Sequence, residues 1–450
     1  MAADWALQPP IVLDNGTGVC KAGLAGEDKP SVLVHNLVGR PKHTRVMPGG
    51  ALEGSGVCVA PAAALPATLA RARVARRSRV HHTHTHAHTR SPLLPPSPPV
   101  SFVGRKVTEH RGALLLSRPM EHGHVRDYSE MELVWRHCLQ ELGGGGGRGG
   151  GCARPLLLTV PPLTPRPELE AAAQVAFEAL RAPALHLAPT ATLALYATGR
   201  TTGLVLECGE GVTAATPVYE GFALQHAQVR AEYGGGEVTR ELAVQLRRAG
   251  VALSTTAEQE AVRGVKEGAA YVALDPARAE ALARDGGSGR GGGAGGSSAS
   301  ASASASSSAA EEYYALPDGS RLRVGAELFR APEVLFNPAL MGSEAPGVAA
   351  CVLGAVAACD MDLRRAQLGA IVLAGGSTAL RGFPQRLLAE VRRGAAAEAR
   401  VAVWAPSDRK VLTWVGGSIL ASLSTFRGLW VTREQWEEEG PSALRRRGAL

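Results

Sequence analysis

Short apolar runs that end in glycine-rich turns alternate along the chain with longer stretches of helical pattern. The uninterrupted apolar runs at 11–13, 204–206 and 371–374 predict buried strands. Apolar residues at helical spacing predict helices over 168–180 and 258–271. Strands and helices in alternation favour an α/β fold.

Three segments lack this periodicity. Residues 59–100 join an arginine run to a histidine tract and prolines, 143–151 is nearly all glycine, and 286–310 is rich in Gly, Ser and Ala. Such segments cannot offset their ordering entropy by burial, so we expect exposed, mostly disordered loops. The histidines at 81–88 would suit zinc or nickel, and the arginines at 71–79 an anionic lipid, RNA or acidic protein. An unselected low-complexity loop is the simpler interpretation of both tracts.

Composition narrows the class of protein. The 450 residues are 45% hydrophobic, which excludes disorder throughout and fits about two to four domains. Seven scattered cysteines predict free thiols, because an odd number does not suit a disulfide framework. We expect no membrane span, since no apolar run approaches the length of about 18 residues that one needs. The first residues lack a basic start and an apolar stretch, so we also expect no signal peptide.

The basic charge is local. The net charge is +7, but 59–100 holds six arginines and no acid, so the rest of the chain carries +1. A pI of about 9.2 is therefore no sign of a nucleic-acid partner for the whole fold.

Residues 11–21 combine an apolar strand, a carboxylate, a glycine-rich turn and a lysine. Without side chains at Gly16 and Gly18, the backbone can approach an anion and point its N–H groups at phosphate oxygens. Lys21 could neutralise the phosphates, and Asp14 could hold a hydrated Mg²⁺. An Asx-type hairpin turn explains the pattern about equally well.

A second copy of this pattern occurs at 204–213. It again places a strand, the acid Glu207, Gly209 and Gly211 in order, although no Walker A motif is present. Two such hairpins predict duplicated halves that close on one polyphosphate. The strand and glycine turn at 371–378 could pass under a nucleoside.

With these hairpins the chain resembles the actin family almost end to end, apart from the three low-complexity segments. The matching stretches are 38–43, 118–123, 195–203, 217–222, 316–319, 373–378, 416–426 and 440–442. The resemblance implies the duplicated α/β fold of the actin/Hsp70/sugar-kinase (ribonuclease H-like) superfamily, with two lobes and four subdomains around a nucleotide cleft. The implied boundaries are 1–34, 107–197 and 412–450 for subdomain 1, 35–106 for subdomain 2, 198–233 and 343–411 for subdomain 3, and 234–342 for subdomain 4.

The resemblance also implies ATP or ADP with Mg²⁺ or Ca²⁺ as cofactors. Asp14 and Glu207 match metal positions that act through water. Without the family match, the charged residues Arg263, Lys266 and Glu267 on the predicted helix 258–271 would also fit a solvated face of that helix. The implied cofactor-binding residues are Asp14, Gly16, Thr17, Gly18, Val19, Lys21, Gly209, Glu210, Gly211, Val212, Gly235, Arg263, Lys266, Glu267, Gly376 and Lys410.

Departures from the family pattern lie at the catalytic positions. Thr190 and Ala214 stand where actins carry the Gln and His that position the attacking water. Loss of such groups typically costs about 10²–10⁴-fold, so we expect nucleotide binding with slow or absent hydrolysis. The second loop carries Glu207 and Glu210 where actins have Asp. Ala379 and Leu380 replace the residues beside the base, which predicts weaker stacking.

Within the family, 45–47, 50–54, 109–112 and 359–365 favour centractin, the actin-related protein of dynactin, whereas 422–426 and 440–442 are closer to conventional actin. The resemblance implies self-association or an actin-like filament, dynactin components as partners, and a cytoplasmic, cytoskeletal location. A polymerising ATPase and a nuclear actin-related protein of a chromatin remodelling complex stay open as alternatives. A sugar or acetate kinase is disfavoured, because no carboxylate base can be placed over a small-substrate pocket.

Overall fold

The computed structural model describes residues 5, 8–42, 101–143, 151–251, 253, 255–287, 312–316, 319 and 321–446. The predictions for 59–100, for most of 143–151 and for nearly all of 286–310 lie outside these residues. Six of the seven cysteines are described, and all six are buried and free, which confirms the predicted thiols for that part of the chain.

Nineteen strands are assigned within the described ranges. They are β1 (Ile11–Asn15), β2 (Val19–Leu24), β3 (Val32–His35), β4 (Val38–Pro41), β5 (Phe102–Val103), β6 (Leu114–Ser117), β7 (Met120–Glu121), β8 (His124–Val125), β9 (Leu156–Val160), β10 (Ala184–Pro189), β11 (Gly203–Cys208), β12 (Thr213–Tyr219), β13 (Phe222–Ala223), β14 (Val229–Ala231), β15 (Glu312–Ala315), β16 (Arg321–Val324), β17 (Ile371–Ala374), β18 (Val403–Trp404) and β19 (Val431–Thr432).

The α-helices include both helices that the sequence predicts. One of them ends earlier than predicted, because Val175–Ala179 forms a π-helical turn. The helices are α1 (Arg105–Glu109), α2 (Tyr128–Glu141), α3 (Arg166–Gln174), α4 (Thr190–Tyr196), α5 (Gly235–Arg248), α6 (Thr256–Ala269), α7 (Pro276–Gly287), α8 (Glu327–Arg330), α9 (Val348–Ala358), α10 (Met361–Gly369), α11 (Phe383–Gly394), α12 (Leu412–Ser422), α13 (Arg433–Glu439) and α14 (Ser442–Arg446).

Two large sheets repeat one plan. The first has the order β19-β10-β9-β1-β2-β3, and the second has the order β13-β12-β11-β17-β18 with β14 beside β12. In each sheet a hairpin pairs antiparallel, and its first strand also pairs parallel with a later strand, β9 or β17. All five residues of β1 are buried, as expected for a strand covered on both faces. The predicted α/β fold with duplicated halves is confirmed.

Helices α4 and α12 lie between the sheets. Leu193 and Trp414 pack with Val12 of the first sheet, while Leu195 and Leu412 pack with the apolar face of the second. The helices cross closely because α12 contains glycine at the crossing: a Cβ on Gly416 would overlap the carbonyl oxygen of Leu193. This pair fixes the two halves relative to each other.

Candidate functional site

A cleft with a volume of about 580 Å³ lies between the two sheets, at the turns of the hairpins β1–β2 and β11–β12. Every residue predicted to contact a cofactor lines this cleft, except Gly211. The set in the cleft is Asp14, Gly16, Thr17, Gly18, Val19, Lys21, Gly209, Glu210, Val212, Gly235, Arg263, Lys266, Glu267, Gly376 and Lys410. The metal candidate Glu207 lines it as well.

The first hairpin carries an ion pair across its two strands. Asp14 on β1 lies opposite Lys21 on β2, and the ammonium group of Lys21 contacts the Asp14 carboxylate. The hydroxyl of Thr159 donates to Asp14 Oδ1 at 2.8 Å and accepts from the backbone N–H of Asn15 at 3.0 Å. Asp14 is 5% exposed, and Lys21 and Thr159 contact one carboxylate oxygen each. Both oxygens are therefore held in place before any ligand binds.

The second hairpin holds its carboxylate differently. Glu207 on β11 lies opposite Ala214, and its oxygens accept hydrogen bonds from Thr190 at 2.5 Å and Thr413 at 3.3 Å. Burial raises the pKa of the Glu207 carboxyl to about 7, although these hydroxyls and Lys21 oppose the shift. This carboxyl can therefore change charge near neutral pH.

The two hairpin turns approach each other at their glycines. A Cβ on Gly18 would lie 2.9 Å from Cβ of Glu210, and one on Gly211 would lie 2.9 Å from Cγ2 of Thr17. Gly211 is thus packed against the opposite turn, behind the surface that lines the cleft. The approach requires glycine at both positions.

Three backbone donors at these turns have no partner in the described part of the chain. Among the described residues, the N–H groups of Thr17, Gly18 and Glu210 donate to no carbonyl and to no side chain. Their residues line the cleft. Consecutive unpaired N–H groups in a turn form a concave site for an anion, and oxygens of a phosphate chain would satisfy them.

A cluster of charge from α6 covers one side of the cleft. Lys266 Nζ donates to the carbonyl oxygen of Gly235 at 2.8 Å and lies 3.5 Å from Glu210. Arg263 donates to Glu267 at 2.9 Å. Burial lowers the pKa of Lys266. Burial also lowers that of Arg263, but neighbouring carboxylates, Glu210 first, raise its pKa above the ordinary value.

The spacing of these side chains along α6 places them on one face of the helix. Thr255 and Glu258 form reciprocal capping bonds that start the helix. Arg263 and Glu267 are four residues apart and lie on one face, with Lys266 three residues after Arg263. The buried side of the helix, which includes Val262 and Val265, packs in the core of the second half.

The far end of the cleft is formed by the turn after β17. Gly376 is exposed, and a Cβ there would meet no other atom within 4 Å. Lys410 lies 3.9 Å from Glu267 across this end. Ala379 and Leu380 line the wall. The described cleft wall here has no aromatic ring, as the sequence predicts.

Thr190 and Ala214, which stand at the family's water-positioning sites, also line the cleft. Thr190 begins α4, and its hydroxyl is committed to Glu207. Ala214 is fully buried on β12. Neither side chain can take a proton from water.

The residues fit a nucleotide with a hydrated cation. The unpaired N–H groups, Lys21 and Lys266 suit a phosphate chain, and the carboxylates of Asp14 and Glu207 suit a cation that keeps its water shell. No group of three or more His, Cys, Asp and Glu side chains with metal-ligand geometry occurs in the described part of the chain, so a cation here would depend on water and phosphate for most of its ligands.

Several residues in or directly behind the cleft wall were missed by sequence reasoning. Thr159 and Thr413 hold the two carboxylates, and Ser377 donates to the Gly209 carbonyl at 2.7 Å. Arg381 lines the far end of the cleft and stacks over the ring of Tyr271. Only the resemblance could have pointed to such positions, because these contacts join residues that lie more than a hundred positions apart.

None of the helices in the described ranges is both long enough and apolar enough to cross a membrane. The chain matches a protein-family model and a known relative over nearly its full length. The family model described as Actin matches residues 7–449. A protein of Neurospora crassa described as "Actin-like protein" is 40% identical over 430 residues, which cover 95% of each chain.

Proposed function

Since the chain belongs to the actin family, we propose that its cleft binds ATP or ADP with Mg²⁺ or Ca²⁺, and that the protein acts as a filament or complex subunit with slow or absent hydrolysis. The observation that carries this proposal is the pair of opposed hairpin turns, whose unpaired N–H groups and adjacent lysines face one cleft. A bound cation would offset phosphate charge and order the phosphate oxygens.

The phosphate chain would lie between the turns at Gly16–Gly18 and at Gly209–Val212. Lys21 and Lys266 would contact it, and each now has a carboxylate partner that could exchange for phosphate. Arg263, Glu267 and Lys410 would surround the nucleoside, with Gly235 beside the ribose and Gly376 beneath the base. The open space over Gly376 supports this placement.

Slow hydrolysis follows from the side chains around the γ-phosphate end. Thr190 donates its hydroxyl proton to Glu207 and is not a base, and Ala214 has no polar atom, so neither side chain could take a proton from the attacking water. The test is phosphate release from the ATP-loaded protein, with the nucleotide-free protein as a control. We expect a rate about 10²-fold below that of a hydrolysing actin.

A matched variant sharpens this test. Thr190→Gln with Ala214→His places both side-chain types that actins use, and phosphate release should rise by about 10²-fold while nucleotide affinity changes little. A wild-type rate equal to that of ordinary actin would overturn the proposal of slow hydrolysis.

The proposed role in a filament or complex draws on family membership and on the description of the relative as actin-like. We propose self-association or dynactin-like components as partners, in a cytoplasmic and cytoskeletal setting. High-speed sedimentation with salt and Mg-ATP tests self-association. Affinity capture from native extract separates dynactin components from the subunits of a nuclear remodelling complex, and the latter would overturn the cytoskeletal role.

A further inference from the structure

Arg230, on β14 of the second sheet, reaches across to the first half of the molecule. Its Nη1 donates to the carbonyl oxygen of Pro162 at 2.8 Å, and its Nη2 donates to that of His122 at 2.7 Å. Nη2 also lies 2.7 Å from Nε2 of His124. Arg230 therefore fastens the turn between β7 and β8 to the opposite sheet.

That turn contacts both hairpins of the cleft. The Gly123 amide donates to Thr17 Oγ1 at 3.1 Å, and His122 Nδ1 donates to the carbonyl oxygen of Gly211 at 2.9 Å. Both central residues have positive φ, +45° at His122 and +76° at Gly123. This conformation is unfavourable for histidine, so the surrounding hydrogen bonds must hold it. A change at Arg230 would thus reach both hairpin turns.

The partners of His124 define its protonation state. A guanidinium can only donate, so Nε2 of His124 must accept from Arg230. The proton then sits on Nδ1, which donates to the two oxygens of Glu168 at 2.9 and 3.0 Å. This arrangement requires neutral imidazole. Protonation at Nε2 would set two donors against each other at hydrogen-bond distance.

We propose that His124 is a positioning residue for the nucleotide site: when neutral it orients Arg230, and when protonated it releases Arg230 and loosens the β7–β8 turn. The charged groups that face it are Glu168 on α3, Arg230 on β14 and Glu232 just after β14. Glu168 and Glu232 favour the imidazolium, and Arg230 disfavours it. Glu232 lies 3.6 Å from Nε2 and its side chain is 61% exposed, so its carboxylate can accept a hydrogen bond from the new Nε2–H once Arg230 has moved.

The consequence is a pH-dependent grip on the ligand. Histidine is the side chain that normally changes charge between about pH 5 and 8. Mild acid should therefore weaken the contacts between the β7–β8 turn and both hairpins, and a bound nucleotide should leave faster. The nucleotide part of this inference rests on the proposed function, whereas the loosening of the turn does not.

The first experiment follows release of a fluorescent adenine nucleotide from the full chain, at steps from about pH 7.5 to about pH 5.5. We expect the release rate of the wild type to rise about fivefold. His124→Gln keeps an acceptor and a donor but cannot charge, so it should remove most of this rise. His226→Gln, at an exposed histidine with no described partner, should keep it.

A second variant separates positioning from a merely structural role. Glu168→Gln removes the carboxylate that stabilises the imidazolium, so the midpoint of the pH profile should move to lower pH. A structural role alone would change the rates at every pH without moving the midpoint. Identical pH profiles for the wild type and His124→Gln would overturn the proposal.

A third measurement works without nucleotide. Hydrogen–deuterium exchange of the peptide that contains Gly123, corrected for the intrinsic pH dependence, should quicken about fivefold in acid in the wild type and not in His124→Gln. If nucleotide does not bind but this difference appears, the proposed function fails and the inference about His124 stands. If nucleotide binds and the exchange of both proteins matches, the inference fails alone.

Discussion

The two hairpins of the cleft share a backbone plan, but the residue opposite the buried carboxylate differs between them. In β1–β2 the carboxylate of Asp14 faces Lys21, and in β11–β12 the carboxylate of Glu207 faces Ala214. The first carboxylate is neutralised by an ion pair, whereas the second has threonine hydroxyls as its partners and a pKa raised by burial to about 7.

This difference shows which features the duplicated architecture requires and which it leaves free. The strand register and the turn glycines recur because the two turns must approach within van der Waals contact. The residue opposite the carboxylate is not bound by that requirement, so its charge can differ between the halves. One hairpin therefore carries an ion pair, and the other carries a carboxyl group that can change charge near neutral pH.

Removing the ammonium group of Lys21 from the first hairpin should have the largest effect on stability. Lys21→Met leaves the buried Asp14 carboxylate without its ion-pair partner, and we expect a loss of about 4 kcal/mol in the free energy of unfolding. Urea denaturation measures it. The double variant Asp14→Asn/Lys21→Met removes both charges and should recover most of the loss. Equal losses in the single and double variants would contradict the account.

The second hairpin should instead lose stability as pH rises. The pKa of Glu207 is higher in the folded chain than in the unfolded chain, so its contribution is complete below about pH 4.5 and disappears by about pH 7. In Glu207→Gln this loss, about 3 kcal/mol, should vanish. Urea denaturation across that range, with chelator and without nucleotide, measures it; parallel curves for both proteins would contradict it.

Making the second hairpin like the first should reduce its pH response. Ala214→Lys places an ammonium group opposite Glu207, which should lower the pKa of that carboxyl by about one unit or more. The pH-dependent loss of stability should shrink by about 1 to 2 kcal/mol. Ala214→Met, of similar length and uncharged, is the control and should keep the full loss. An equal effect of both substitutions would show that bulk and not charge is responsible.

The smallest expected effect tests whether the adenine base lies over Gly376, at the far end of the cleft. A Cβ on Gly376 would meet only open space, so Gly376→Ala should leave the unfolding free energy unchanged but weaken adenine-nucleotide affinity about tenfold. Gly369→Ala, also without close neighbours but outside the cleft, should leave the affinity unchanged. Calorimetric titration with Mg-ATP measures the affinity, and an unchanged value in the Gly376 variant would place the base elsewhere.

Three central strands, the two hairpins and, through the family resemblance, most of the cleft lining could be predicted from the sequence. Apolar runs followed by an acid and glycines are local patterns, and the register between Asp14 and Lys21 follows from a short turn. The helices at 166–174 and 256–269 also follow from local periodicity, although a π-helical turn ended the first.

Contacts between distant segments could not be predicted in this way. Thr159, Thr413 and Arg230 act on residues far away in the chain, and no local pattern marks a threonine as the partner of a buried carboxylate. Gly211 shows the converse: its motif is clear, but packing against Thr17 and His122 places it behind the cleft surface. The three low-complexity segments stay predictions, since they fall mainly outside the described residues.

Calorimetric titration of the nucleotide-free full chain with ATP and Mg²⁺ decides whether the opposed hairpins bind a nucleotide. We expect saturable binding at one site per chain, weakened by Lys21→Met and by Gly376→Ala. A correctly folded chain that shows no heat of binding with ATP or ADP, and with Mg²⁺ or Ca²⁺, would contradict this expectation.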